Sequence, residues 1–127
     1  QKPIPIIEFE AKRLSDSSNN KEYVCGLRGG IERFKRGYHS SHIKVCGMFG
    51  YVQNRTSAEW IENINTWISE LSQNNTDSSI DWTASKELLF KIESYSFVEK
   101  LRSSHQRTLQ KENIVLWHYL IDLVSKN

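Results

Sequence analysis

"KVCGMFGYVQNRTSAEWIENINTWISEL", residues 44–71, holds both halves of a layered α/β unit. The run 44–53 is rich in apolar and β-forming residues and too short for a typical helix. It therefore reads as a strand buried on both faces and as the centre of a sheet. Directly after it, Thr56 stands as an N-cap and Glu59, three residues later, completes a capping box. Trp60, Ile61, Ile64, Trp67, Ile68 and Leu71 then recur at helical spacing. That stripe is the face expected to pack on the sheet, with Trp60 and Trp67 read as core and not as a base-stacking platform.

Upstream, "GGIERFKRG" (29–37) predicts a short basic helix. Ile31 and Phe34 lie on one side, Arg33, Lys35 and Arg36 largely on others, and Gly37 is placed as the C-terminal cap. Before it, Ile6 to Leu14 alternates with a period of two, Pro3 and Pro5 being confined to the entrance, and reads as a strand. "SDSSNNKE" (15–22) and "SQNNTDSS" (72–79) are polar loops, and "YVCGL" (23–27) is a short strand or the approach to a helix. Downstream, a short helix is expected around Ser85–Phe90 and a strand around Ser94–Arg107. "NIVLWHYLIDLV" (113–124) is read either as a strand that continues into a helix or as helical throughout. This order predicts an α/β or α+β fold, a mixed central sheet flanked by helices.

The 127 residues suffice for one domain with a single core, and no apolar run approaches the roughly 20 residues that a bilayer helix needs. Membrane insertion is not expected. "QKPIPII" lacks the features of a signal peptide, so the expected location is cytoplasmic, and Cys25 and Cys46 are expected to be free thiols. The chain also opens without Met, directly into a strand-like segment, which is the pattern of a protein with a further portion upstream. Net charge is only +2, yet ten Lys or Arg stand against five acids up to Arg55, and seven against ten after it. The basic first part points to an anionic partner, nucleic acid first, or simply to a solvated face.

Within "PIIEFEAKRL" (5–14), Glu8, Glu10 and Lys12 alternate with Ile7, Phe9 and Ala11. Two residues apart on a strand, Glu10 and Lys12 project from the same face, roughly 7 Å apart along the chain. Phosphodiester hydrolysis needs a water of lowered pKa and positive charge where negative charge accumulates. A carboxylate-held Mg²⁺ with a neighbouring ammonium supplies both, and Mg²⁺ takes few protein ligands. The plain alternative is the wet face of an edge strand.

"IIEFEAKRL", the basic helix and the buried strand "MFGYV" together resemble the core of the PD-(D/E)xK nuclease superfamily, the restriction-endonuclease-like fold. Glu10-Ala11-Lys12 matches its (D/E)xK half. "GGIERFKRGYH", "GMFGYVQ", "SSHQR" and "IVLWH" are also similar to a group of uncharacterised bacterial proteins with this core. The resemblance implies a Mg²⁺-dependent nuclease acting on DNA, in a restriction or defence role. Glu10 would be the metal ligand, Glu8 a secondary one, and Lys12 the catalytic base or charge stabiliser. Arg13, Arg33, Lys35 and Arg36 would be the phosphate contacts, and a homodimer stays open. The family places its (D/E)xK half on a central strand and pairs it with an aspartate on a preceding strand. No such aspartate precedes Glu10 here, so it is expected upstream of Gln1, the alternatives being that Glu8 or a circularly rearranged acid substitutes or that the chain does not cut.

Two rival readings stand beside this one. The same fold could serve as a catalytically inactive module that binds nucleic acid or protein. Cys25, His39, His42 and Cys46 contain the donors of a tetrahedral zinc site, although without the close Cys pairs of established zinc modules. His105 and His118 read as satisfied, partly buried histidines, with proton transfer or phosphate contact as the alternative.

Overall fold

The computed structural model describes residues 8–26, 28–37, 45–108 and 112–124. Among the described residues five strands form one mixed sheet: β1 (Glu8–Leu14), β2 (Val45–Val52), β3 (Phe90–Ser94), β4 (Val98–Gln106) and β5 (Asn113–Asp122), in the spatial order β1-β2-β5-β4-β3. β1, β2 and β5 run parallel, whereas β4 is antiparallel to both β5 and β3. Among the described residues the helices are α1 (Gly30–Arg36), α2 (Ser57–Asn74) and α3 (Ala84–Glu87), with a 3-10 turn at Asn20–Tyr23. The chain is therefore a mixed α+β fold.

One face of the sheet carries the core. Leu14, Met48, Val52, Leu101, Ile114, Leu116 and Leu120 meet Ile31 and Phe34 of α1 and Trp60, Ile64 and Ile68 of α2 in a single buried cluster. α2 begins where the sequence places it, since the Thr56 hydroxyl accepts from the Glu59 N–H at 3.2 Å. Its partner interaction differs from the expected reciprocal box, because Thr56 donates its hydroxyl proton to the Glu59 carboxylate. The helix also extends into the expected loop, ending at Asn74. α1 closes on Gly37, whose φ of 74° is open to glycine at little cost and whose N–H returns to Arg33 and Phe34 carbonyls. At its other end, Gly30 lets the helix sit directly on β2, for a Cβ there would come within 2.2 Å of Met48 Cε.

Three expectations are corrected. Among the described strands β2 is one in from the edge, and β5 occupies the centre. "NIVLWHYLID" is a strand throughout, with Ile114, Leu116, His118 and Leu120 on the core face and Val115, Trp117, Tyr119 and Ile121 on the other. Both of its faces are apolar, which removes the period-two signal and leaves a run that resembles a buried helix. β1, expected from the resemblance to be central, is an outer strand among the described residues. The long strand expected at 94–107 is β4, preceded by β3 in an antiparallel hairpin.

Candidate functional site

β1 turns Glu8, Glu10, Lys12 and Leu14 toward the helix-covered face, opposite Cys46, Met48, Gly50 and Val52 of β2. Glu10 Oε1 lies 3.3 Å from Lys12 Nζ, with the two side chains 14% and 16% exposed. Lys12 Nζ also donates to the Arg28 carbonyl oxygen at 2.6 Å. Two residues further on, Gly30 brings the start of α1 against Met48 of β2. Burial pushes the neighbouring Cys46 thiol up to about 11, with Arg107 opposing and Glu8, on the same face, adding to the rise. Cys46 is thus a protonated thiol at neutral pH, and Cys25 and Cys46 are both free.

The expected phosphate contacts do not converge. Arg13 lies on the opposite face of the sheet, where its guanidinium donates to Gln53 Oε1 at 2.9 and 3.1 Å. Arg36 pairs with Glu32 and Asp77. Arg33 is half-buried on α1. Lys35 is corrected outright as a surface cation: it is 1% exposed and forms an ion pair with Glu87. Of the four donors of the zinc reading, His39 and His42 lie outside the described residues.

Beneath the helices runs a chain of buried polar groups that local sequence did not announce. Tyr23 OH is 2.7 Å from His118 Nδ1, His118 Nε2 is 2.7 Å from Ser103 Oγ, and Ser103 Oγ is 2.7 Å from His105 Nε2. His105 Nδ1 then lies 2.9 Å from Glu87 Oε1, which also meets Lys35 Nζ. Lys35 additionally donates to the Asp81 carbonyl and sits 4.4 Å from the Trp82 ring centre. One direction of proton donation satisfies the whole chain: Tyr23 to His118, His118 to Ser103, Ser103 to His105, and His105 to the Glu87 carboxylate.

The electrostatics agree with that assignment. Burial holds the Tyr23 phenol far above its ordinary range, so it stays protonated. Burial also pulls His118 well below the usual imidazole range, with His105 adding to the effect. His105 is likewise lowered by burial, against the pull of Glu87. Burial pushes the Glu87 carboxyl up, but the His105 hydrogen bond and the Lys35 charge outweigh it and the group ends below its ordinary value. Burial lowers Lys35, with Glu87 opposing. Two neutral histidines and one ion pair result.

Ser103, His105 and Glu87 share the donor order of a nucleophile, base and orienting acid. Ser103 is fully buried and already accepts from His118, so no acyl substrate reaches it. The ion pair at the other end of the chain, itself buried, lies in the wall of a cleft of about 410 Å³ that Lys86, Arg107 and Thr108 also line. Glu8 and Glu10 stand elsewhere, on one face of β1 beside the Lys12 ammonium. Among the described residues, no group of three or more His, Cys, Asp or Glu side chains is placed to share an ion.

No protein-family model, curated protein or solved structure matches the chain. Among the described residues no helix is long and apolar enough to cross a membrane.

Proposed function

We propose that the chain is the core of a metal-dependent nuclease of restriction-endonuclease-like architecture, hydrolysing phosphodiester bonds of DNA. The supporting observation is the Glu10 and Lys12 pair. Carboxylate and ammonium share one strand face, in contact with each other, ahead of a helical connection into the parallel strand β2. Glu10, with Glu8 as second donor, fits Mg²⁺, which takes one or two carboxylates and keeps several waters. When bound, the ion supplies charge neutralisation and a water of lowered pKa.

Lys12 has the protein's own part in this chemistry. Its ammonium is pinned by the Arg28 carbonyl, so its position does not depend on side-chain freedom. A fixed cation beside the reacting phosphate stabilises the negative charge that develops in the transition state. Losing one such preorganised group typically costs about 10²–10³ in rate. Mg²⁺-dependent cleavage of DNA by the whole protein is expected to fall by that order in Lys12→Met and to vanish in Glu10→Gln, both remaining folded. Cleavage at the wild-type rate in both variants refutes the assignment.

A second reading, a catalytically inactive binding module of the same fold, draws on the absence of a shared acidic cluster among the described residues. Salt-sensitive nucleic-acid binding without metal-dependent cleavage identifies it.

A further inference from the structure

The face of the sheet turned away from the helices is built of aromatic rings and cations. Two cross-strand rows define it. Phe9, Gly47, Trp117, Arg102 and Phe90 stand side by side across all five strands, and Ala11, Phe49, Tyr119, Lys100 and Glu93 form the next row. The Phe9 ring lies over Gly47, where a Cβ would fall 2.0 Å from its Cε1, and the residue is still 45% exposed. Phe9 and Phe49 stack at 4.8 Å with an interplanar angle of 21°, and Tyr119 continues the patch 5.8 Å from Phe49. Trp117 is flanked by Lys100 at 4.9 Å and Arg102 at 5.6 Å from its ring centre.

We infer that this open face binds single-stranded nucleic acid, its bases stacking on the Phe9, Phe49 and Tyr119 rings and its phosphates meeting Arg13, Lys100 and Arg102. Charge decides the class of partner. Among the described strand residues of this face, those three cations stand against a single carboxylate, Glu93, which already accepts from the Tyr95 hydroxyl at 2.7 Å. A second copy of the chain would bring like charge against like, whereas a polyanion with exposed ring faces complements both the sign and the rings. Base-on-aromatic stacking is worth about 1–3 kcal/mol per base and tolerates any sequence. A duplex, whose base faces are already stacked, uses only the cations.

The inference is independent of cleavage, and its test removes cleavage altogether. A fluorescein-labelled fifteen-residue oligothymidylate is titrated with the full chain carrying Glu10→Gln, in EDTA, and followed by anisotropy at several salt concentrations. Three phosphate contacts predict a log–log salt slope of about −2. Phe9→Ala and Phe49→Ala should each weaken binding by about 5- to 150-fold. Lys100→Gln and Arg102→Gln should each flatten the slope by about 0.7. A duplex of matched length should bind more weakly than the single strand.

Absent binding, or affinities unchanged in all four variants, overturns the inference while leaving the cleavage reading intact. So does sedimentation that finds a wild-type dimer and a Phe9→Arg monomer, because the face is then covered by a second copy.

Discussion

Acidification is predicted to destabilise this protein through its two buried histidines, before its carboxylates titrate. His105 and His118 are held neutral, with pKa values lowered by burial. In the unfolded chain each binds a proton near pH 6.5. For a group whose folded pKa is depressed, the stability is fully present above the unfolded pKa and is lost as pH falls toward the folded one. Below pH 6.5 the unfolded state thus binds more protons than the native state. Each histidine then removes up to about 1.4 kcal/mol per pH unit, or about 3 kcal/mol per unit for the pair. Each contribution ends at that histidine's lowered folded pKa, and it is drawn from a total of about 5–15 kcal/mol for an ordinary domain.

Urea titrations at half-unit steps from pH 7.5 to 5 measure the slope directly. His118→Gln should cut it by about half, and His105→Gln provides the same comparison should the first variant fold poorly. Because the variants differ from wild type by one histidine each, contributions from other titrating groups cancel in the difference. A wild-type stability that is flat from pH 7 to 5, or a slope that both variants leave unchanged, refutes the assignment of a neutral, one-way donor chain.

Glu87→Gln leaves the buried Lys35 ammonium without its carboxylate and should cost about 3–5 kcal/mol in chemical denaturation; the double variant with Lys35→Met should recover part of that loss, and strict additivity would argue against the pair. Gly30→Ala forces Met48 and the Tyr23 carbonyl aside and should cost about 1–3 kcal/mol, read as a lowered Tm. Thr56→Ala removes the acceptor for the Glu59 N–H and should cost about 1 kcal/mol, most of it visible as faster amide exchange in the first turn of α2. An unchanged Tm in both of these last variants would refute the two local accounts.

The strand and helix over residues 44–71 were legible because both carry their own signals: a short apolar run, an N-cap, and a stripe at helical spacing. α1 was legible through its Gly37 cap. The position of β5 was not, since apolar residues on both faces erase the periodicity, and sheet order depends on pairings between distant segments. Lys35 could have been placed correctly: Ile31, Phe34 and Lys35 fall at i, i+3 and i+4, a single inward face, but its charge suggested the surface. The donor chain was out of reach, because Tyr23 and His118 are 95 residues apart in sequence and meet only through the fold. Locally, Ser103 and His105 show no more than two polar residues alternating on a strand. The Glu10 and Lys12 pair was readable in type, spacing and shared face, whereas the Arg28 carbonyl that pins Lys12 was not.

Magnesium-dependent DNA cleavage by the whole protein, compared with its Glu10→Gln and Lys12→Met variants of matched thermal stability, tests the central claim most directly. The account predicts cleavage that requires the metal, is lost in Glu10→Gln and falls about 10²–10³-fold in Lys12→Met. Equal cleavage by all three proteins, or none by the wild type at any Mg²⁺ concentration, contradicts it.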